Sequence, residues 1–283
     1  MSNALPDPTP SPLPLRPAAP VDKPESASRP HPKPGFPTPK LRLEVRDLAH
    51  PGALVFFKTT NPATVLSDAV TTVLQTLYIP FKGDTNHITP TRSITLILRP
   101  MPGVAYTTGI DLDDDHKEIH FSLDYIARIP NSSPRRQRDE IEGVIVHEMV
   151  HCWQWNALGT APGGLIEGIA DFCRLRADLR PPHWKKEGGG DWDAGYQHTA
   201  YFLDWIESKF GGGSVMRINE HLRDVEYKEP KFWKDLFDNS VHDLWDEYTQ
   251  GFGTRVNASG RVLEEPDGSE EGRRESVNRI DCM

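Results

Sequence analysis

The segment from Ser133 to Trp155 constrains the fold more than any other part of the chain. Ser133 is a good helix N-cap and Pro134 suits the first helical position, where no backbone N–H is needed. The apolar residues that follow, Val144, Ile145, Val146, Met149, Val150 and Trp153, fall on nearly every side of a helix. Such a helix has no solvent face, so it must run through the core of the domain. Yet His147, Glu148 and His151 interrupt it. Buried without partners they would cost several kcal/mol, and a metal ion relieves that cost. The His-Glu-x-x-His spacing explains how: residues four apart lie one turn above each other, so both imidazoles grip one ion. Glu148 projects at a different angle and is free to take a proton from a water that the ion holds. Zinc suits this arrangement, since it lowers the pKa of water from about 15.7 towards 7 and polarises a carbonyl.

A catalytic zinc needs a third protein ligand and an open fourth position. A His six residues after the second ligand, with a Gly three residues after it, is one known solution, but Ala157 and Gln154 stand there and exclude it. After a Gly/Pro break at 159–164, a second helix is predicted from about Leu165 to Leu179, stopped by Pro181 and Pro182. It carries Glu167 and Asp171 four apart on one face, and either carboxylate has the reach to meet the metal. The pair resembles the Glu-x-x-x-Asp of gluzincins. That likeness implies Glu167 as third ligand and Asp171 as the acceptor that fixes the tautomer of a ligand imidazole.

The stretch from His147 to Ala177 closely resembles the plant basic secretory protein family, also called peptidases of plants and bacteria. Gln154, Trp155, Pro162, Gly164, Leu165, Glu167, Gly168, Asp171 and Arg174 all fall where that family's motif has them. A looser likeness runs from the strand at Leu41 to about Tyr248. The resemblance implies a zincin-like fold and zinc peptidase activity. Plant members are secreted and often basic, whereas this chain carries a net charge of −9, so their extracellular defence role is not transferred.

The rest of the chain is organised around this pair of helices. A period-2 strand is expected from Leu41 to Arg46, a helix from Pro62 to Tyr78, and strands at Ser93–Arg99 and Lys117–Leu123. The acidic stretch Asp111–Asp115 lacks the spaced ligands and central Gly of a calcium loop, so it reads as a solvated hairpin loop. Further helices are expected at Gly195–Phe210, Val215–Arg223 and Ser240–Tyr248. The fold class is therefore α+β: an amino-terminal mixed sheet with the metal helix, then a mainly helical half. The domain is placed at residues 41–252. Of 26 prolines, 13 lie within residues 1–40, so that segment is expected to be a disordered tail, with an SH3- or WW-type module as an alternative partner. Residues 253–283 are expected to be a poorly ordered charged tail.

Three cysteines are too few for a disulfide framework, and Cys152 and Cys173 sit among apolar neighbours as core residues. The acidic balance opposes nucleic-acid binding, and no apolar stretch approaches the roughly 20 residues that span a bilayer. The first residues lack the apolar core of a classical secretory signal, so a cytoplasmic or non-classically exported protein is expected, without glycosylation at Asn131 or Asn257. A peptide or protein is the expected substrate, with Lys117–Leu123 as the sheet edge that it joins. Tyr196, His198 and Tyr201 are candidate donors to the transition state. The competing readings are an inactive binding module on the same fold and a scaffold recruited through the proline-rich tail.

Overall fold

The computed structural model describes residues 36–78 and 87–252. It is α+β, with a four-stranded mixed sheet on the amino-terminal side and a helical carboxy-terminal half. Strand β1 (Lys40–Val45) leads through helices α1 (Pro51–Thr59) and α2 (Val65–Leu77) into β2 (Ser93–Arg99). This crossover lays β2 parallel to β1, as parallel neighbours require. The apolar face of α2, Ala69, Val70, Val73, Leu74 and Leu77, is buried as its spacing predicts. Strand β2 is buried along nearly its whole length and forms the sheet's centre.

The chain then folds as a hairpin, β3 (Ala105–Ile110) and β4 (Asp113–Ser122), and β4 returns parallel to β2. The strand order is β1-β2-β4-β3. The Lys117–Leu123 segment is therefore not an edge, because β4 pairs on both sides. The edge on that side is β3, whose short Ala-Tyr-Thr-Thr-Gly-Ile run lies in what reads locally as a glycine- and proline-rich connection. The acidic stretch does make the hairpin turn at Asp111 and Leu112, but Asp113, Asp114 and Asp115 belong to β4. Arg92 pairs with Asp113 and Asp115, and Lys117 with Asp114, so these carboxylates are neutralised in place.

Helix α3 (Leu123–Arg128) follows, capped by the Ser122 hydroxyl, and then α4 (Pro134–His151), capped by Ser133. Buried residues surround α4 as the all-round apolar pattern demands. It packs against β3, β4, α1, α2 and α5 (Gly163–Arg176). The helix stops at His151, short of Trp155, because the carbonyls past it have partners elsewhere. Thr91 donates to Cys152 O at 2.6 Å, while Thr89 and the Tyr78 hydroxyl donate to Trp153 O. The chain reverses through Ala157 and Leu158, both at φ 56°, so α5 runs antiparallel to α4. Helix α5 ends at Arg176 instead of Leu179, where Asp178 at φ 57° turns the chain.

Helices α6 (Tyr196–Phe210), α7 (Ser214–His221), α8 (Glu229–Phe237) and α9 (Val241–Gln250) complete the described chain. Phe202 anchors an aromatic core with Trp233, Trp245 and Tyr248 at centroid distances of 5.3–6.1 Å. Close approach of α6 to α5 depends on glycine: a Cβ on Gly168 would lie 2.3 Å from Thr199 Cγ2. No helix among the described residues is long and apolar enough to cross a membrane. Most of the expected proline-rich tail, the expected charged tail and Asn257 lie outside the described residues.

Candidate metal centre

Two antiparallel helices supply the centre. Helix α4 presents His147 and His151 on successive turns, and α5 presents Glu167 opposite both. His147 Nε2 lies 3.1 Å from Glu167 Oε2 and 3.3 Å from His151 Nε2, and His151 Nε2 is 3.7 Å from Glu167 Oε1. Four ligands about 2.0–2.1 Å from a tetrahedral ion are spaced by about 3.3 Å, so the two imidazole nitrogens and the Glu167 carboxylate lie at separations close to those of such a site. Two imidazole nitrogens and one carboxylate oxygen are also a donor set that divalent transition metals take. The group could hold a metal ion.

Both remaining ring nitrogens have partners. His147 Nδ1 is 2.7 Å from Asp171 Oδ1, one turn further along α5 than Glu167. Donation of Nδ1–H to that carboxylate leaves the Nε2 lone pair aimed at the group. His151 Nδ1 lies 3.1 Å from the side-chain amide of Gln154. Burial pushes the His147 pKa down, but the hydrogen bonds to Asp171 and Glu167 outweigh it and raise it to about 9. Burial and the neighbouring His147 charge push His151 down. The hydrogen bond from His147 holds Glu167 below the usual carboxylate range.

Glu148 is buried beside the group but makes no bond to it. Its Oε2 accepts from the Thr107 hydroxyl at 2.7 Å, and its backbone carbonyl lies 2.9 Å from the same hydroxyl. Burial raises its pKa above the ordinary glutamate value. Thr107 is on β3, so strand pairing brings the sheet edge against α4. Its part was not legible in the sequence, although alternating Tyr106, Thr107 and Thr108 favour a strand.

The group opens into a cleft of about 1070 Å³, walled by β3 on one side and by α5 and the start of α6 on the other. Tyr196 reaches it: the ring lies 6.2 Å from that of His147 and nearly parallel at 13°. Its φ of 47° follows Gly195 at 86°, an uncommon backbone that carries the side chain over the centre. The charge of Glu167, and then burial, raises its hydroxyl pKa. His198 lines the cleft wall, but its ring packs 5.0 Å from Trp245 and its Nε2 is buried without a hydrogen bond. Tyr201 is buried on the other side of α6, with Trp184 and Lys186 against its ring, and does not line the cleft. It is therefore no donor to chemistry at this centre. Cys152 and Cys173 are fully buried, and burial pushes both thiols up.

A family model described as peptidase of plants and bacteria matches residues 38–248. The chain thus belongs to that family, the basic secretory protein family, whose name denotes a peptidase, and a hydrolytic activity accords with it. No curated protein and no solved structure matches the chain.

Proposed function

We propose that this chain is a zinc-dependent peptidase with a zincin-like active site, in which His147, His151 and Glu167 hold the metal and Glu148 is the general base. The single observation that carries this reading is that two imidazole nitrogens and the Glu167 carboxylate converge at 3.1–3.7 Å next to a second carboxylate that does not join them. Zinc held there would supply a Lewis acid for the scissile carbonyl and a lowered pKa for an attacking water.

The chain's own residues have distinct tasks. Asp171 accepts from His147 Nδ1, and Gln154 sets the tautomer of His151. The Gln154 amide nitrogen faces His151 Nδ1 and its oxygen is buried without a partner; the same amide turned over would accept Nδ1–H and leave the His151 Nε2 lone pair free for the ion. Thr107 holds Glu148 Oε2, leaving Oε1 to accept a proton from water and pass it to the departing amine. The raised pKa of Glu148 suits both steps, because a base must also release its proton. The Tyr196 hydroxyl is placed to donate to the oxygen that gains charge in the transition state. The open edge of β3, from Ala105 to Thr107, lies along the cleft and offers backbone groups to an extended peptide.

Metal analysis of the purified protein together with peptide cleavage, with and without a chelator, tests this reading. About one zinc per chain and chelator-sensitive cleavage are expected. Full activity in a metal-free preparation overturns it.

A further inference from the structure

Beyond the metal centre the cleft continues along α4 to Glu140, two turns before His147. There Arg174 of α5 crosses to meet it, its NH2 group 3.0 Å from Glu140 Oε1. Arg174 is 7% exposed and its Nε donates to Leu179 O at 3.0 Å. Its Nη2 is buried, with the Glu140 carboxylate as its ionic partner. The guanidinium also lies 5.3 Å from the Trp184 ring centroid. Its seat is built into the fold: a Cβ on Gly143 would sit 2.5 Å from Arg174 Nε and 2.8 Å from Leu179 O. Only glycine lets the guanidinium pass over α4 at that turn.

Glu140 is already well supplied. Tyr125 donates to it at 2.8 Å and Arg136 at 3.3 Å. Burial would raise its pKa, but Arg174, Tyr125 and Arg136 outweigh burial and hold it below the usual range. It stays an anion, and with Asp139 it makes two carboxylates beside the three guanidinium groups of Arg128, Arg136 and Arg174. A side pocket of about 340 Å³ shares Tyr125 and Glu140 with the cleft and adds Arg128, Arg136, Ile129 and Pro130. Arg128 is exposed on its rim and makes no ion pair among the described residues. Arg136 is shared between Glu140 and Asp139. In a chain of net charge −9, this end of the cleft carries a local surplus of guanidinium groups over an apolar floor.

We infer that this end of the cleft is a carboxylate-recognising subsite that selects an anionic group on the substrate. Seven helical residues separate Glu140 from His147, a rise of about 10 Å, which an extended peptide covers in about three residues. The group bound is thus a carboxylate about three residues from the bond cleaved, either an Asp or Glu side chain or a free peptide C-terminus. The planar guanidinium of Arg128, with no ion pair among the described residues, matches a carboxylate's two oxygens, and Arg136 and Arg174 add positive charge beside it. The aliphatic stem or backbone before it packs on Ile129 and Pro130.

This inference rests on the peptidase reading for its substrate, so the test separates the two. Fluorescent peptides carrying an internal Glu with an amidated end, a neutral sequence with a free C-terminus, and a neutral amidated control are bound to full-length, chelator-treated protein. At least one carboxylate peptide is expected to bind about tenfold tighter than the control, since a charge-assisted hydrogen bond contributes about 1.5–3 kcal/mol. Which one does so identifies the source of the carboxylate. Arg128→Gln, on the exposed rim, and Arg174→Lys, which keeps charge but loses the planar fork, should each lower that ratio severalfold. Equal binding of all three peptides, or a ratio that neither variant changes, overturns the inference. The same peptides are then offered to metal-loaded protein. Selective binding without cleavage leaves the subsite standing and removes the peptidase reading. Cleavage without selectivity does the reverse.

Discussion

His147 and Asp171, 24 positions apart in the chain, meet across the α4–α5 interface with Nδ1 2.7 Å from Oδ1. That contact turns the other ring nitrogen of His147 towards His151 and Glu167. It also separates the two carboxylates of α5, since Glu167 faces Nε2 and Asp171 faces Nδ1.

Their substitutions should therefore differ. On the zinc-peptidase reading, Glu167→Ala removes a metal ligand and should abolish stoichiometric zinc binding. Asp171→Asn should keep the metal with affinity lowered by about 10–100-fold. Zinc titrations of the two variants check this, and a metal-free Asp171→Asn beside a normal Glu167→Ala would reverse the assignment.

Glu148→Gln keeps the shape and the Thr107 contact but removes the proposed base. Turnover should fall by about 10²–10⁴-fold with zinc content unchanged. Thr107→Val is a milder version, since it frees the carboxylate without removing it, and should lower kcat by about tenfold. Steady-state kinetics beside metal analysis will show whether either loss is a loss of zinc instead.

Tyr196 and Tyr201 lie on the same helix with opposite expectations. Tyr196→Phe should lower kcat by about 10²-fold with little change in KM, the behaviour of a donor used in the transition state. Tyr201→Phe should leave kcat within about twofold. Equal effects would mean that Tyr196 is only a wall of the cleft.

Gly168→Ala tests the packing that brings α6 over the centre. The new methyl would meet Thr199 at 2.3 Å, so overpacking should cost about 1–3 kcal/mol. Chemical denaturation measures it, and an unchanged midpoint would show that the two helices slide apart freely.

Glu140 has a depressed pKa, so its contribution to stability is present above the ordinary carboxylate range, about 4.3, and is lost as pH falls through its lower native value. Glu140→Gln should be less stable than wild type at pH 7, and the gap should narrow below about pH 4.5. Melting temperatures across pH 3–7 give the comparison. A gap that is independent of pH would assign the loss to packing.

The parts of the centre that the sequence revealed are those set by local periodicity. One helical turn places His147 with His151, and another places Glu167 with Asp171, whatever surrounds them. The apolar residues of α4 likewise predict a buried helix without reference to its neighbours. Strands β1, β2 and β4 could be read for the same reason. Helices α1, α3 and α8 were not legible in the sequence, and β3 is broken by its glycine-rich approach.

What only the tertiary structure decided are contacts between distant segments. Thr107 meets Glu148 across 41 positions because β3, not β4, takes the sheet edge. Arg174 meets Glu140 because two antiparallel helices pass close enough at Gly143. Tyr196 faces the centre while Tyr201, five residues on, turns away, because glycine at 195 sets the start of α6 and its packing on α5 sets the face. Periodicity states which residues share a face. Which element that face meets depends on strand order and helix approach, and those come from the packing of the whole chain.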